Sequence, residues 1–187
     1  MIKLKINNKH LVIIKKCITY IDGYLIVNKT YSLPQNYGKK LNRKLVKAFN
    51  KMKKDALKEE INLKILSGFR SFDRQKEIYN NYIKEDPKNA DNYSARPGHS
   101  EHQSGLAIDI NNASDAFINS NEANWLDRNV YKYGFILRYP KNKSNITGYK
   151  YEPWHYRYVG KKLAKKLYNN GLWETMEEYF GIESKYL

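Results

Sequence analysis

Cysteine is nearly absent from the 187 residues: Cys17 stands alone, so no disulfide can form within the chain. The "IKKC" that ends at Cys17 also lacks the apolar and small residues of a lipid-attachment site. Cys17 is expected to be a small buried residue, and it leaves the compartment open because disulfides are optional outside the cell. Five prolines and ten glycines, with no internal repeat, exclude a fibrous or low-complexity chain. Long apolar runs are missing as well. The uncharged stretch "HLVII" near the N-terminus is too short for a signal-peptide core or a membrane span, so no export signal or transmembrane segment is expected and the chain reads as soluble. Acid is scarce where the chain begins: residues 1–70 hold 17 Lys and Arg against 4 Asp and Glu, most of the net charge of +15.

What is present suits one core. With 41% hydrophobic residues and 17 tyrosines, a chain of this length fits a single globular domain. In "KKLNRKLVKAFNKMKK" (39–54), eight basic side chains and no acid surround Leu41, Leu45, Phe49 and Met52 at helical spacing. This predicts an amphipathic helix with a cationic outer face: either a solvated surface or a site of attraction to nucleic acid, anionic membrane or anionic cell wall.

Alternation in "IKLKI" and "YLIVN" predicts short strands, with a turn at Ile21–Gly23. "NLKIL" reads as a strand running into "SGFRS", where Gly68 permits a bend and Ser71 can cap a helix over 72–83 with Ile78, Tyr79, Tyr82 and Ile83 on its apolar face. Arg70 then sits at a strand-to-helix corner. Residues 84–98 read as a polar loop. In "LAIDI", Leu106, Ile108 and Ile110 share one face and Asp109 takes the other. Ser120 can cap a helix through "NEANWLDRNVYKY" that Gly134 ends. "FILRY" and "WHYRYV" read as strands, and "KKLAKKLYNN" and "ETMEEYF" as closing helices. This order predicts an α+β fold with a central, largely antiparallel sheet and flanking helices.

Histidine is scarce too, four in all, yet two stand in "PGHSEHQSGLAID" (97–109). His102 and Asp109 alone prove little, since a histidine and an acid at some spacing occur in most proteins of this size, and a polar loop running into a strand accounts for them better than a metal pair does. "YEPWHYRYVG" (151–160) adds Glu152 and His155, and two His with one Asp make the three-ligand set that hydrolytic zinc sites use, a fourth position being left for water. Glu152 can reach such a water only if Pro153 bends the chain, because residues three apart in a regular strand face opposite ways. Arg70 could then stabilise an oxyanion. His10 is expected to be uninvolved, Glu101 and Asp73 to be surface or capping charges, and Trp154 and Tyr156 to be core or cleft wall.

In their order, "SGFRS", "SEHQSGLAID" and "EPWH", with "ARPGHSEHQ", "WLDRNVYKYGFILRYP" and "TGY", resemble the zinc D-alanyl-D-alanine carboxypeptidases of the VanY-like group over roughly residues 25–160. The resemblance implies the fold shared by these enzymes, lysostaphin-type peptidases and the hedgehog signalling domain. It implies one Zn2+ per chain held by His102, Asp109 and His155, Glu152 as the base, Arg70 polarising the carbonyl, and Ser100 and Gln75 touching substrate. His99 is left as a loop residue beside the site. The implied activity is D,D-carboxypeptidase removal of the C-terminal D-alanine from peptidoglycan stem peptides. An L,D-carboxypeptidase acting on tetrapeptide stems is the alternative, and a non-catalytic polyanion-binding module is a further one. The expected organisation is one monomeric peptidase domain, with N-terminal strands over 1–24, a catalytic core over 25–160 and C-terminal helices over 161–187. The basic half suits an anionic cell-wall polymer, and no specific nucleic acid is expected. Such a substrate places the enzyme outside the membrane or in the cell wall, in tension with the missing export signal.

Overall fold

Alternating residues at the N-terminus form a four-stranded antiparallel meander of β1 (Ile2–Ile6), β2 (His10–Lys15), β3 (Ile18–Ile21) and β4 (Tyr24–Leu25). The computed structural model describes residues 1–7 and 9–186. Cys17 is exposed, not buried: with Lys16 it forms the two-residue turn between β2 and β3, both at positive φ (52° and 60°), and such a tight turn points its side chains outward. "YLIVN" is a strand over its first two residues only. The Asn28 side chain accepts from the amides of Thr30 and Tyr31, and this local turn competes with further pairing.

A second sheet comprises β5 (Ile65–Ser67), β6 (Ala107–Ile110), β7 (Phe135–Leu137) and β8 (His155–Tyr158), in the spatial order β5-β6-β8-β7 with every pair antiparallel. The α+β class holds, with two sheets where one central sheet was expected. Ile108 and Ile110 enter the main core, but Leu106 packs with Leu25, Val27 and Leu33 in a smaller cluster.

Helix α1 (Arg43–Leu57) starts at Asn42, whose side chain accepts from the Lys44 amide, and it buries Leu45, Phe49, Met52 and Ala56. Like charges at Lys44, Lys47, Lys51 and Lys54 oppose the helix by only about 0.2–0.5 kcal/mol per pair. Burying each large apolar anchor returns about 1.5–3 kcal/mol, so packing decides the helix. α2 (Phe72–Glu85) is capped by Ser71 as expected, yet its buried residue is Gln75 and its Ile78 and Tyr82 line a cleft instead of the core. α3 (Asn121–Asn129) is capped by Ser120, continues as a 3-10 turn over Val130–Tyr133, and stops at Gly134, whose φ of 91° suits glycine. α4 (Ser144–Thr147), α5 (Lys161–Tyr168) and α6 (Met176–Phe180) complete the chain, α6 with a capping box between Thr175 and Glu178. Among the described residues no helix is long and apolar enough to cross a membrane.

Candidate metal centre and catalytic site

β6 and β8 run antiparallel with Asp109 directly opposite His155, so the two side chains leave the same face of the sheet. Asp109 Oδ1 lies 3.1 Å from His155 Nδ1. His102 comes from a 3-10 turn over Glu101–Ser104 that ends at Gly105 (φ 70°), where an added Cβ would collide with the Lys40 carbonyl oxygen. The His102 Nδ1–H donates to the Gly68 carbonyl at 2.7 Å, which leaves Nε2 facing Asp109 Oδ2 at 3.2 Å. The two imidazoles meet edge to face, 5.0 Å between centroids. Among the described residues, His102, Asp109 and His155 are all buried and their ligand atoms fall within 4.8 Å of one another. Two imidazole nitrogens and one carboxylate suit a divalent zinc ion, and three protein donors leave a position open as catalytic sites require. The carbonyl behind His102 is the kind of partner that orients metal-binding histidines.

Glu152 reaches this centre through the bend anticipated at Pro153. The His155 amide donates to the Glu152 carbonyl at 3.2 Å, closing a turn over Pro153 and Trp154. Glu152 Oε2 thereby comes within 3.9 Å of His155 Nδ1, on the ligand side of the ring. Burial pushes the Glu152 carboxyl up to about 7, with His155 acting in the opposite direction. Arg70 follows β5, and its amide donates to the His102 carbonyl at 3.3 Å. Its Nη1 donates to Gln75 Oε1 at 2.9 Å and its Nη2 to Ser67 Oγ at 3.1 Å, with Nη2 3.9 Å from Asp109 Oδ2. Gln75 Nε2 donates to the Ala95 carbonyl at 2.7 Å, so both ends of this amide hold the corner around Arg70. Ser100 is buried beside them.

All seven residues singled out in the sequence line one cleft of about 330 Å³, which Ile78, Tyr82, Tyr93 and Lys150 also line. A family model described as VanY, D-alanyl-D-alanine carboxypeptidase, matches residues 38–161. The chain belongs to the VanY family. It is 43% identical over 181 residues to the putative carboxypeptidase YodJ of Bacillus subtilis (strain 168), covering 83% of this chain and 66% of that one. It spans between 38% and 67% of the length of the other curated relatives it matches. The L,D-carboxypeptidase DacB from Streptococcus pneumoniae superimposes with a TM-score of 0.82 at 37% identity, over 95% of this chain and 99% of DacB. A vancomycin-resistance D,D-pentapeptidase VanY variant in complex with Zn(II) superimposes with a TM-score of 0.70 at 34% identity, over 82% of this chain and 96% of that one.

The largest departure of this VanY-family chain from the sequence reading is Glu101, expected to be a surface or capping charge. It is 1% exposed. Its Oε1 accepts from Arg138 Nε at 2.8 Å and from Arg157 Nη1 at 2.9 Å, and its Oε2 lies 3.3 Å from His155 Nε2. Burial acts upward on its pKa, but the two guanidiniums hold the carboxyl well below the usual range. The overlooked signal was an arginine inside each of two apolar strands, "FILRY" and "HYRYV", since a buried guanidinium needs a buried acid. His99 stands apart, its Nδ1 2.8 Å from the Asn28 carbonyl, and His10 pairs with Asp22 in the meander. Asp73 is an exposed acceptor for Gln35 Nε2 at 3.1 Å. Trp154 borders the cleft while Tyr156 is core.

Proposed function

We propose that this VanY-family chain is a zinc-dependent carboxypeptidase that removes the C-terminal D-alanine from peptidoglycan stem peptides. The observation that carries the reading is the convergence of His102, Asp109 and His155 beside Glu152 and Arg70 on the wall of one cleft. His102 Nε2, His155 Nδ1 and the Asp109 carboxylate are the donors for one zinc. Zinc bound there supplies Lewis acidity, making a water nucleophilic near neutral pH. Glu152 takes the proton of the attacking water and hands it to the departing amine nitrogen of D-alanine. Arg70, braced by Gln75 and Ser67, donates to the carbonyl oxygen as negative charge gathers on it. Ser100 touches the substrate, while Gln75 acts through Arg70.

Arg70→Met is expected to lower kcat by about 10²- to 10³-fold with KM little changed, because the charge it stabilises exists chiefly in the transition state. Steady-state kinetics on a defined pentapeptide muropeptide check this. A loss confined to KM would make Arg70 a ground-state binding group instead.

The same proposal treats residues 1–187 as one monomeric domain, with strands over 1–24, core over 25–160 and helices over 161–187, working at the cell wall. The exposed lysines of α1 offer a surface for an anionic wall polymer. A second specificity, L,D cleavage of tetrapeptide stems, is favoured by the likeness to DacB, which covers more of this chain than the likeness to the zinc-bound VanY does. Incubation with penta- and tetrapeptide muropeptides separates the two. D-alanine released from the pentapeptide is the expected result, and release from the tetrapeptide alone overturns the D,D assignment.

A further inference from the structure

We propose that Glu101 is a positioning residue that holds the His155 ring with its proton on Nε2, so that Nδ1 is free for zinc. The inference rests on the functional reading above. The His155 ring lies between two carboxylates, Asp109 Oδ1 at 3.1 Å from Nδ1 and Glu101 Oε2 at 3.3 Å from Nε2. A neutral imidazole carries one ring proton, and the two nitrogens point away from each other, so the carboxylate opposite the metal face decides which nitrogen keeps it.

Glu101 is not free to turn and serve as a ligand itself. Its Oε1 accepts from both Arg138 Nε and Arg157 Nη1. Arg138 is fixed in turn by two bonds to Glu177, at 2.9 and 2.7 Å, and Arg157 Nη2 donates to the Leu25 carbonyl at 2.7 Å. Glu101, Arg138, Arg157 and Glu177 are each at most 2% exposed, and two acids against two guanidiniums leave the cluster neutral. With Oε1 taken up by two guanidiniums, the Glu101 oxygen left over is Oε2, and among the described residues the side-chain nitrogen facing it is His155 Nε2 at 3.3 Å. Such a partner also raises the ligand's basicity and thus its hold on a metal. The chain of contacts extends to Glu177 on α6, beyond the residues that the family model matches.

The test uses the full chain with 15N-labelled histidine. In zinc-loaded wild type, long-range 1H–15N correlations are expected to place the His155 proton on Nε2, and a proton on Nδ1 overturns the inference. In Glu101→Gln, that resonance is expected to shift and zinc affinity, from chelator competition, to fall about 10- to 100-fold. Glu177→Gln removes a charge from the same cluster without touching His155, and it is expected to lower thermal stability while zinc affinity stays near wild type. Equal losses of affinity in both variants would make the role merely structural and overturn the inference. If Glu101→Gln does not fold, the wild-type spectrum decides alone. Wild type that binds no zinc sinks the functional reading, whereas zinc bound with the proton on Nδ1 sinks only this inference.

Discussion

Glu152→Gln is expected to lower kcat for D-alanine release by about 10²- to 10⁴-fold while the chain keeps its zinc, because the variant loses the group that moves protons and none of the metal donors. Glutamine keeps the shape of the side chain but cannot accept a proton at working pH. Among the described residues no other carboxylate of the cleft is free to substitute. Asp109 is one of the proposed zinc ligands, and Glu101 is committed to Arg138 and Arg157 on the far side of His155. Zinc content by atomic emission together with a pentapeptide assay checks the prediction, and full turnover in a zinc-loaded variant would assign proton transfer to another group. A loss of folding is not expected to confuse the result. Glu152 is buried and, among the described residues, has no Arg or Lys nitrogen within 4.0 Å, so removing its charge relieves a desolvated group. The metal-free variant is accordingly expected to melt no lower than metal-free wild type. A lower melting point would mean that the carboxylate contributes to the fold as well as to the chemistry.

The candidate reacting groups could be picked out of the sequence because the chemistry proposed for them restricts the residue type. Two imidazoles, a carboxylate, a second carboxylate beside a proline and an arginine two residues after a glycine have few substitutes, and the structure brings His102, Asp109, Glu152, His155 and Arg70 to one cleft. Helix ends were legible for a different reason: Ser71, Ser120 and Gly134 act on amides and dihedrals within a few residues of themselves. What escaped is non-local. Glu101 meets Arg138 and Arg157 at separations of 37 and 56 residues, and nothing in "SEHQ" distinguishes a buried acid from a capping one. The split into two sheets escaped likewise, since strand alternation states that a face is buried but not which strand lies alongside. On α2 the apolar spacing was real, but Ile78 and Tyr82 border the cleft, where apolar side chains meet substrate space instead of core.

Arg138→Met is expected to destabilise the fold by about 3–5 kcal/mol, the usual cost of leaving a buried acid without its cation. For a chain of this length that lowers Tm by roughly 6 to 20 °C. Two carboxylates lose a partner at once. Among the described residues Glu177 keeps the Asn28 amide donor alone, at 3.0 Å, and Glu101 keeps Arg157 but loses the bond from Arg138 Nε. The cause can be separated from lost packing by adding Glu177→Leu, which removes the acid that the first change left bare. Replacing a buried ion pair by apolar groups of similar volume is often neutral or stabilising, so the double variant is expected to melt above Arg138→Met alone. Asn28 still has the Glu183 carbonyl as an acceptor at 3.0 Å, which limits the damage at that end. Calorimetry on chelator-treated protein keeps bound metal out of the comparison. Strictly additive losses would mean that Arg138 stabilises the fold through its apolar stem, and that the charges behind His155 are screened in spite of their burial.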